Sequence, residues 1–277
     1  MTLSEPNSTI ESMWRDMLTN RESPLYKKGR IFKHVPGDPR CRLCRIPLAG
    51  IASPVLKLTG RRPARYNPHF CNACEVWSME HPGGAVIDLT VLFADVRGST
   101  GLAEDLGPNE FAGLMQRFYR VSNDVFVESD AYIDTPVGDE VRAFYFPVFT
   151  PDHAAAAIRT AQSLLLATGH GDAAGPWIPV GVGLHSGPAF VGTVGVEGTT
   201  RYELAALGDV VNVTGRLVAL ARQGEILASQ DTYTSAGLDF GDIEVRTVDL
   251  RGRSAPLDIR VIPVSKFVGG GAMTTSG

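Results

Sequence analysis

Leu89-Thr90-Val91-Leu92-Phe93-Ala94-Asp95-Val96-Arg97-Gly98-Ser99-Thr100 is the stretch whose reading decides this chain. An apolar, β-branched run of strand length ends on one carboxylate, then gives way to small and hydroxyl residues and a helical pattern from about Gly107. The order reads strand, turn, helix start. Asp95, at the end of a buried strand, is a costly charge unless something positive compensates it. The amides of Gly98, Ser99 and Thr100 fall where the first turn of a helix leaves N–H groups unpaired at the positive end of its dipole, which makes them candidate phosphate ligands. A carboxylate for a metal beside amides for a phosphate reads as a metal–nucleotide site. An ordinary strand end with an Asp helix cap is the plainer alternative.

Downstream, Tyr132-Ile133 and the run 141–146 flank Val137-Gly138-Asp139-Glu140, a hairpin with a second carboxylate at its tip. Between them, Phe111, Leu114, Met115, Phe118, Ser122, Val125 and Phe126 mark one face of a helix. An alanine-rich helix follows over 152–168, then strands over 178–184 and 189–194, a helix over 209–222, a strand over 226–228, and strands near 243–249 and 257–263. This succession predicts an α+β fold with a ferredoxin-like βαββαβ core. In such a core the first strand lies beside the hairpin, so Asp95 and Asp139 meet at one edge. Two close carboxylates keep their charge at neutral pH most easily by sharing divalent cations.

Upstream, Ile10, Met13, Trp14, Met17 and Leu18 give an N-terminal amphipathic helix that docks on its own domain or a sister subunit. Lys27-Lys28-Gly29-Arg30 reads as a solvated loop. All four cysteines fall in Cys41-Arg42-Leu43-Cys44 and Cys71-Asn72-Ala73-Cys74, with 26 residues between the pairs. Two such knuckles complete a tetrahedral four-sulfur site for zinc, with an iron–sulfur cluster as the alternative; a local ligand cluster of this kind excludes a secreted disulfide framework. A segment with so little core of its own draws much of its folding free energy from the metal. His69, two residues before Cys71, reads as a bystander. Lys57, Arg61, Arg62 and Arg65 form a modest basic patch, read as a solvated face.

Composition narrows the classes further. The chain has 277 residues, 44% hydrophobic, with 26 basic against 30 acidic side chains and a net charge of -4. No overall positive field draws it to nucleic acid or acidic membrane. No apolar run approaches the roughly 18 to 20 residues of a membrane span, and residues 1–15 lack the pattern of a secretory leader, so a cytoplasmic protein is expected.

Three motifs together, Leu92-Phe93-Ala94-Asp95-Val96-Arg97-Gly98-Ser99-Thr100, Val137-Gly138-Asp139-Glu140 and Leu207-Gly208-Asp209-Val210-Val211-Asn212-Val213-Thr214-Gly215-Arg216-Leu217, resemble those of the class III nucleotidyl cyclases, the adenylate and guanylate cyclase catalytic domain. The resemblance runs over residues 88–264. It implies that two Mg²⁺ or Mn²⁺ ions held by Asp95, Asp139 and the carbonyl of Val96 bind a nucleoside triphosphate, ATP by expectation, whose ribose 3′-hydroxyl displaces pyrophosphate. Asn212 and Arg216, four apart and so on one helix face, would orient the ribose and neutralise charge on the α-phosphate. Arg253, and more weakly Arg251, fall where the family has cations for the terminal phosphates. The family builds each site from two chains, so a homodimer is implied, with 193–202 as a reaching arm and Arg201 and Glu203 as cross-subunit contacts.

The base-specifying positions depart from the family. They hold Thr135, where a lysine is usual, and Ala205, where an Asp or Thr is usual. Unpaired base edges cost on the order of 1 to 3 kcal/mol per group, so use of GTP or a pyrimidine nucleotide, or a weak or silent nucleotide-binding regulatory module, are the alternatives. The expected organisation is 1–40 helix and linker, 41–84 four-cysteine segment, 85–265 catalytic domain and 266–277 disordered tail.

Overall fold

The apolar run ending at Asp95 forms β1 (Gly84–Val96), which lies inside a mixed sheet with partners on both sides. The computed structural model describes residues 8–33, 35, 37, 39–50, 54, 60–65, 69–195, 202–253 and 255–264. Among the described residues three helices precede β1: α1 (Ser8–Thr19), α2 (Pro24–Lys33) and α3 (Asn72–Glu80). After it come α4 (Ser99–Glu128), β2 (Tyr132–Ile133), β3 (Glu140–Tyr145), α5 (His153–Ala167) and β4 (Val180–Gly195). The rest is β5 (Tyr202–Leu207), α6 (Asp209–Leu220), β6 (Ile226–Ser229), α7 (Gln230–Ala236), β7 (Val245–Val248) and β8 (Leu257–Ile262).

The strands run β2-β3-β1-β4-β6-β8-β7, and β5 adds to β4 off that path. The segment β2-β3-β1-β4, with α4 and α5 as its crossovers, is the expected βαββαβ core. β1 pairs antiparallel with β3 from Thr90↔Tyr145 to Asp95↔Glu140, and with β4 from Gly84↔Gly192 to Val96↔Val180.

Alternation along β1 feeds two cores. Leu92, Ala94 and Val96 pack with Phe118 and Phe126 of α4 and Ile158 and Leu165 of α5. Leu89, Val91 and Phe93 enter a second cluster with Trp14, Leu18, the buried cysteines, and Val210 and Val218 of α6. The N-terminal helix thus docks on its own sheet: Trp14 is fully buried, its Nε1 donates to the His81 carbonyl at 3.0 Å, and its ring meets Trp77 edge-on at 5.0 Å.

Four local expectations are corrected. Residues 27–30 belong to α2 and are no loop; Pro24 sits at its first position and Ser23 Oγ accepts the Tyr26 amide at 3.3 Å, a start signal that outweighs the run of charges. The strands expected over 178–184 and 189–194 are one strand, β4, because Pro188 costs nothing where it sits. β6 pairs only with 182–184 and β5 only with 190–195, so the proline's missing N–H falls on an open stretch of edge. The helix after Asp95 starts at Ser99, with a break at Gly107 (φ 73°) where Pro108 opens its longer part. α7 carried no periodic signal strong enough to be expected; Ser229 Oγ caps it by accepting the Thr232 amide at 3.2 Å. The expected disordered tail lies outside the described residues, as do Arg201 and most of the supposed arm.

Candidate functional site

Strand pairing builds the carboxylate corner. Asp95 is opposite Glu140, and the Val96 amide donates to the Asp139 carbonyl at 3.3 Å, which ties the end of β1 to the hairpin turn. Gly138 takes a left-handed φ of 61° at that turn, and the Tyr119 hydroxyl of α4 donates to its carbonyl. Glu140 is paired with Arg142 at 2.6 Å, whereas Asp139 has no ion pair among the described residues.

Arg97 answers the cost of the Asp95 charge. It pairs with the Asp95 carboxylate and donates to the Val218 carbonyl of α6 at 3.3 Å and to the Ala221 carbonyl just past its end at 3.5 Å. Burial lowers the Arg97 pKa, while Asp139 and Glu140 pull it back up. Burial raises the Tyr119 pKa, and the Asp139 charge adds to it. Strand pairing thus sets Asp95 and Asp139 at the same corner, and oxygen donors of this kind fit Mg²⁺ or Mn²⁺. Arg97 was missed as a partner, although its spacing of two from Asp95 on strand-like chain was the available signal.

Directly after this corner, Gly98 (φ 67°) precedes α4 with no side-chain cap, and the first amide to bond back is Leu102, to the Gly98 carbonyl at 3.1 Å. The Ser99 and Thr100 amides therefore remain open beside Asp95, and Gly98 supplies the turn that aims them.

α6 presents a second group of site residues. Its Val210, Val213, Thr214, Leu217 and Val218 are buried, while Asn212 is exposed and Arg216 half-buried on the other side. Gly183 permits the close packing: a Cβ there would lie 2.4 Å from the Val218 nitrogen. Arg216 lies against Gly252, and Arg253 pairs with Asp209 at 3.5 Å. The fold thus places Asn212 and Arg216 on the side of α6 that faces away from its buried residues, with Arg253 tied to the start of that helix through Asp209.

Thr135 is exposed between β2 and β3, and Ala205 sits in β5 opposite Gly192. The two segments are linked, since the Tyr132 hydroxyl donates to the Leu204 carbonyl at 3.2 Å.

The four cysteine sulfurs lie within 4.8 Å of one another, with Cys44 and Cys71 at 3.7 Å. This spacing suits a tetrahedral thiolate site. Each knuckle closes on its own backbone: the Arg45 amide bonds the Cys41 carbonyl at 2.9 Å and the Glu75 amide bonds that of Cys71 at 2.9 Å. The Cys71 amide and Arg61 point donors at sulfur. Hydrogen bonds from the other thiols hold Cys71 well below the ordinary range, and burial pushes Cys41 up. His69 is outside this sulfur group; its carbonyl accepts the Arg42 amide at 2.9 Å.

Comparisons with known proteins bear on the family and the fold. A family model for the adenylate and guanylate cyclase catalytic domain matches residues 85–259. An adenylate cyclase of Anabaena cylindrica is 32% identical over 142 residues, covering 49% of this chain and 28% of that protein. Adenylate cyclase 1 of Rhizobium meliloti (strain 1021) is 29% identical over 180 residues, covering 62% and 27%. The chain therefore spans little more than a quarter of the length of these relatives. Among solved structures, the guanylyl cyclase Cya2 superposes with a TM-score of 0.59 at 27% identity, over 67% of this chain and 97% of that one. The adenylyl cyclase CyaB from P. aeruginosa gives 0.57 at 27% identity, over 66% and 98%. No described helix is long and apolar enough to cross a membrane.

Proposed function

The chain belongs to the class III adenylate and guanylate cyclase catalytic domain family, and we propose that it converts ATP to a 3′,5′-cyclic nucleotide and pyrophosphate, as a homodimer in the cytoplasm. The observation that carries this reading is the Val96–Asp139 backbone hydrogen bond beside the Asp95–Glu140 pair, which sets Asp95 and Asp139 at one corner of the sheet before the start of α4. Asp95, Asp139 and the Val96 carbonyl would hold two Mg²⁺ or Mn²⁺ ions, which would supply Lewis-acid stabilisation of the triphosphate and lower the pKa of the ribose hydroxyl.

This chain's own groups do the rest. Open amides after Gly98 receive phosphate oxygens, and Arg253 neutralises terminal phosphate charge. The 3′-oxygen, its proton passing to solvent water, attacks the α-phosphorus and the bond to the bridging oxygen breaks, releasing pyrophosphate. Asn212 holds the sugar for in-line attack, and Arg216 spreads its donors over oxygens that gain charge. Because Asn212 and Arg216 face away from the sheet that carries Asp95, they serve the carboxylates of a second copy, and each dimer has two sites. Residues 85–265 act as the catalytic domain and 41–84 as its metal-bound segment, with zinc on Cys41, Cys44, Cys71 and Cys74.

The test is the purified full chain, supplied with Mn²⁺ and each of the four nucleoside triphosphates, with products identified by mass. Cyclic AMP from ATP is expected. No cyclic product from any nucleotide overturns the reading in favour of a silent nucleotide-binding module.

A further inference from the structure

Thr135 and Ala205 leave the expected base position without a cation, yet the fold delivers one from outside the domain. Arg42, the residue after the first cysteine of the sulfur knuckle, reaches across 93 residues of sequence to donate to Thr135 Oγ1 at 2.9 Å. Its other terminal nitrogen lies 3.3 Å from Asp134 Oδ1, and its guanidinium stands 5.6 Å over the Tyr132 ring. Tyr132 is the same side chain whose hydroxyl bonds the carbonyl next to Ala205. The Arg42 backbone is held on both sides, by the closed Cys41 turn and by the His69 carbonyl at 2.9 Å. A guanidinium has five N–H bonds, and these two anchors use two of them. Arg42 also borders a cavity of about 580 Å³ shared by the knuckle, α4 and β2, which leaves room beside it.

We propose that Arg42 is a specificity-determining residue, supplying from the metal knuckle the cationic donor that meets the purine of the nucleotide at Thr135. The inference rests on the nucleotide-binding part of the cyclase reading, not on turnover. It makes the sulfur knuckle part of the substrate-recognition surface, since the ligand pair Cys41 and Cys44 sets where Arg42 stands. Asp134 holds the guanidinium in place and acts as a positioning residue.

The experiment compares wild type, R42A, R42K and D134N as full-length, metal-loaded protein. Binding of ATP, GTP, CTP and UTP is read by equilibrium dialysis with Ca²⁺, and turnover separately with Mn²⁺; thermal melting checks folding. Wild type is expected to prefer a purine, and R42A to lose roughly ten- to hundredfold of that preference, the scale of a lost charge-assisted hydrogen bond, with R42K retaining part of it. D134N, which keeps the cation, is expected to fall in between. Equal weakening of all four nucleotides, or unchanged selectivity in a folded R42A, overturns the proposal and leaves the cyclase reading standing. Selective binding lost in R42A but with no turnover in wild type supports the proposal and overturns the cyclase reading. If R42A does not fold, D134N and R42K decide by the same ratio, and no binding to wild type overturns both.

Discussion

The Val96 amide donates to the Asp139 carbonyl at 3.3 Å, so two residues 43 apart in the chain hold the β1 terminus and the hairpin turn together. This bond is made by backbone, and carboxylate substitutions leave it in place. D95A and D139A are therefore expected to fold while losing at least about a hundredfold in kcat, since ion-assisted charge stabilisation is worth several kcal/mol and each 1.4 kcal/mol is tenfold. Circular dichroism and a cyclic-nucleotide assay check this; either variant retaining near wild-type kcat refutes the role of its carboxylate.

Asn212 and Arg216 project from the outer side of α6, which predicts complementation between chains. D95A mixed in equal amounts with R216A, each inactive alone, is expected to recover about one quarter of wild-type activity, because half of the dimers are mixed and each of those has one intact site in two. Recovery near zero with proven subunit exchange removes the two-chain site.

Four sulfurs within 4.8 Å predict one bound metal per chain, measurable by elemental analysis, with zinc expected and visible absorption marking iron–sulfur instead. C44S is expected to lose that metal and to lower the melting temperature by roughly 5–10 °C, because the knuckle shares its core with α1 and the sheet. A metal-free C44S with an unchanged melting curve contradicts this.

His170 predicts a specific acid sensitivity. Its Nε2 accepts the Val180 amide at 3.2 Å and burial lowers its pKa, so the folded state takes up a proton less readily than the unfolded chain. Its contribution is complete above the ordinary value of 6.5 and is lost as pH falls below it toward the lowered folded value. Half-buried His153 and buried His185 shift the same way. Urea midpoints between pH 7.5 and 5 are expected to fall less steeply in H170Q than in wild type.

Packing of α6 on the sheet leaves no room at Gly183, where a Cβ would meet the Val218 nitrogen at 2.4 Å, whereas Gly113 on α4 has open space. G183A is expected to destabilise by about 1–3 kcal/mol or more, and G113A to stabilise by about 0.5–1 kcal/mol. Chemical denaturation of the two variants checks both signs.

Sequence by itself determined the strand ending at Asp95, the hairpin around Asp139, the sulfur spacing, and the order of elements that makes a βαββαβ core. These are local: they depend on a period of two, a period of 3.6, or chemistry repeated within a few residues. Even the misread elements were local failures, with Ser23-Pro24 starting a helix in a charged run and Pro188 tolerated on an open edge. Tertiary structure alone decided which cation neutralises Asp95, that Tyr119 braces the turn at Gly138, and that Arg42 lies at Thr135. Such contacts join residues distant in the chain through the docking of one face on another, and side-chain reach across a packed interface leaves no periodic trace in the sequence.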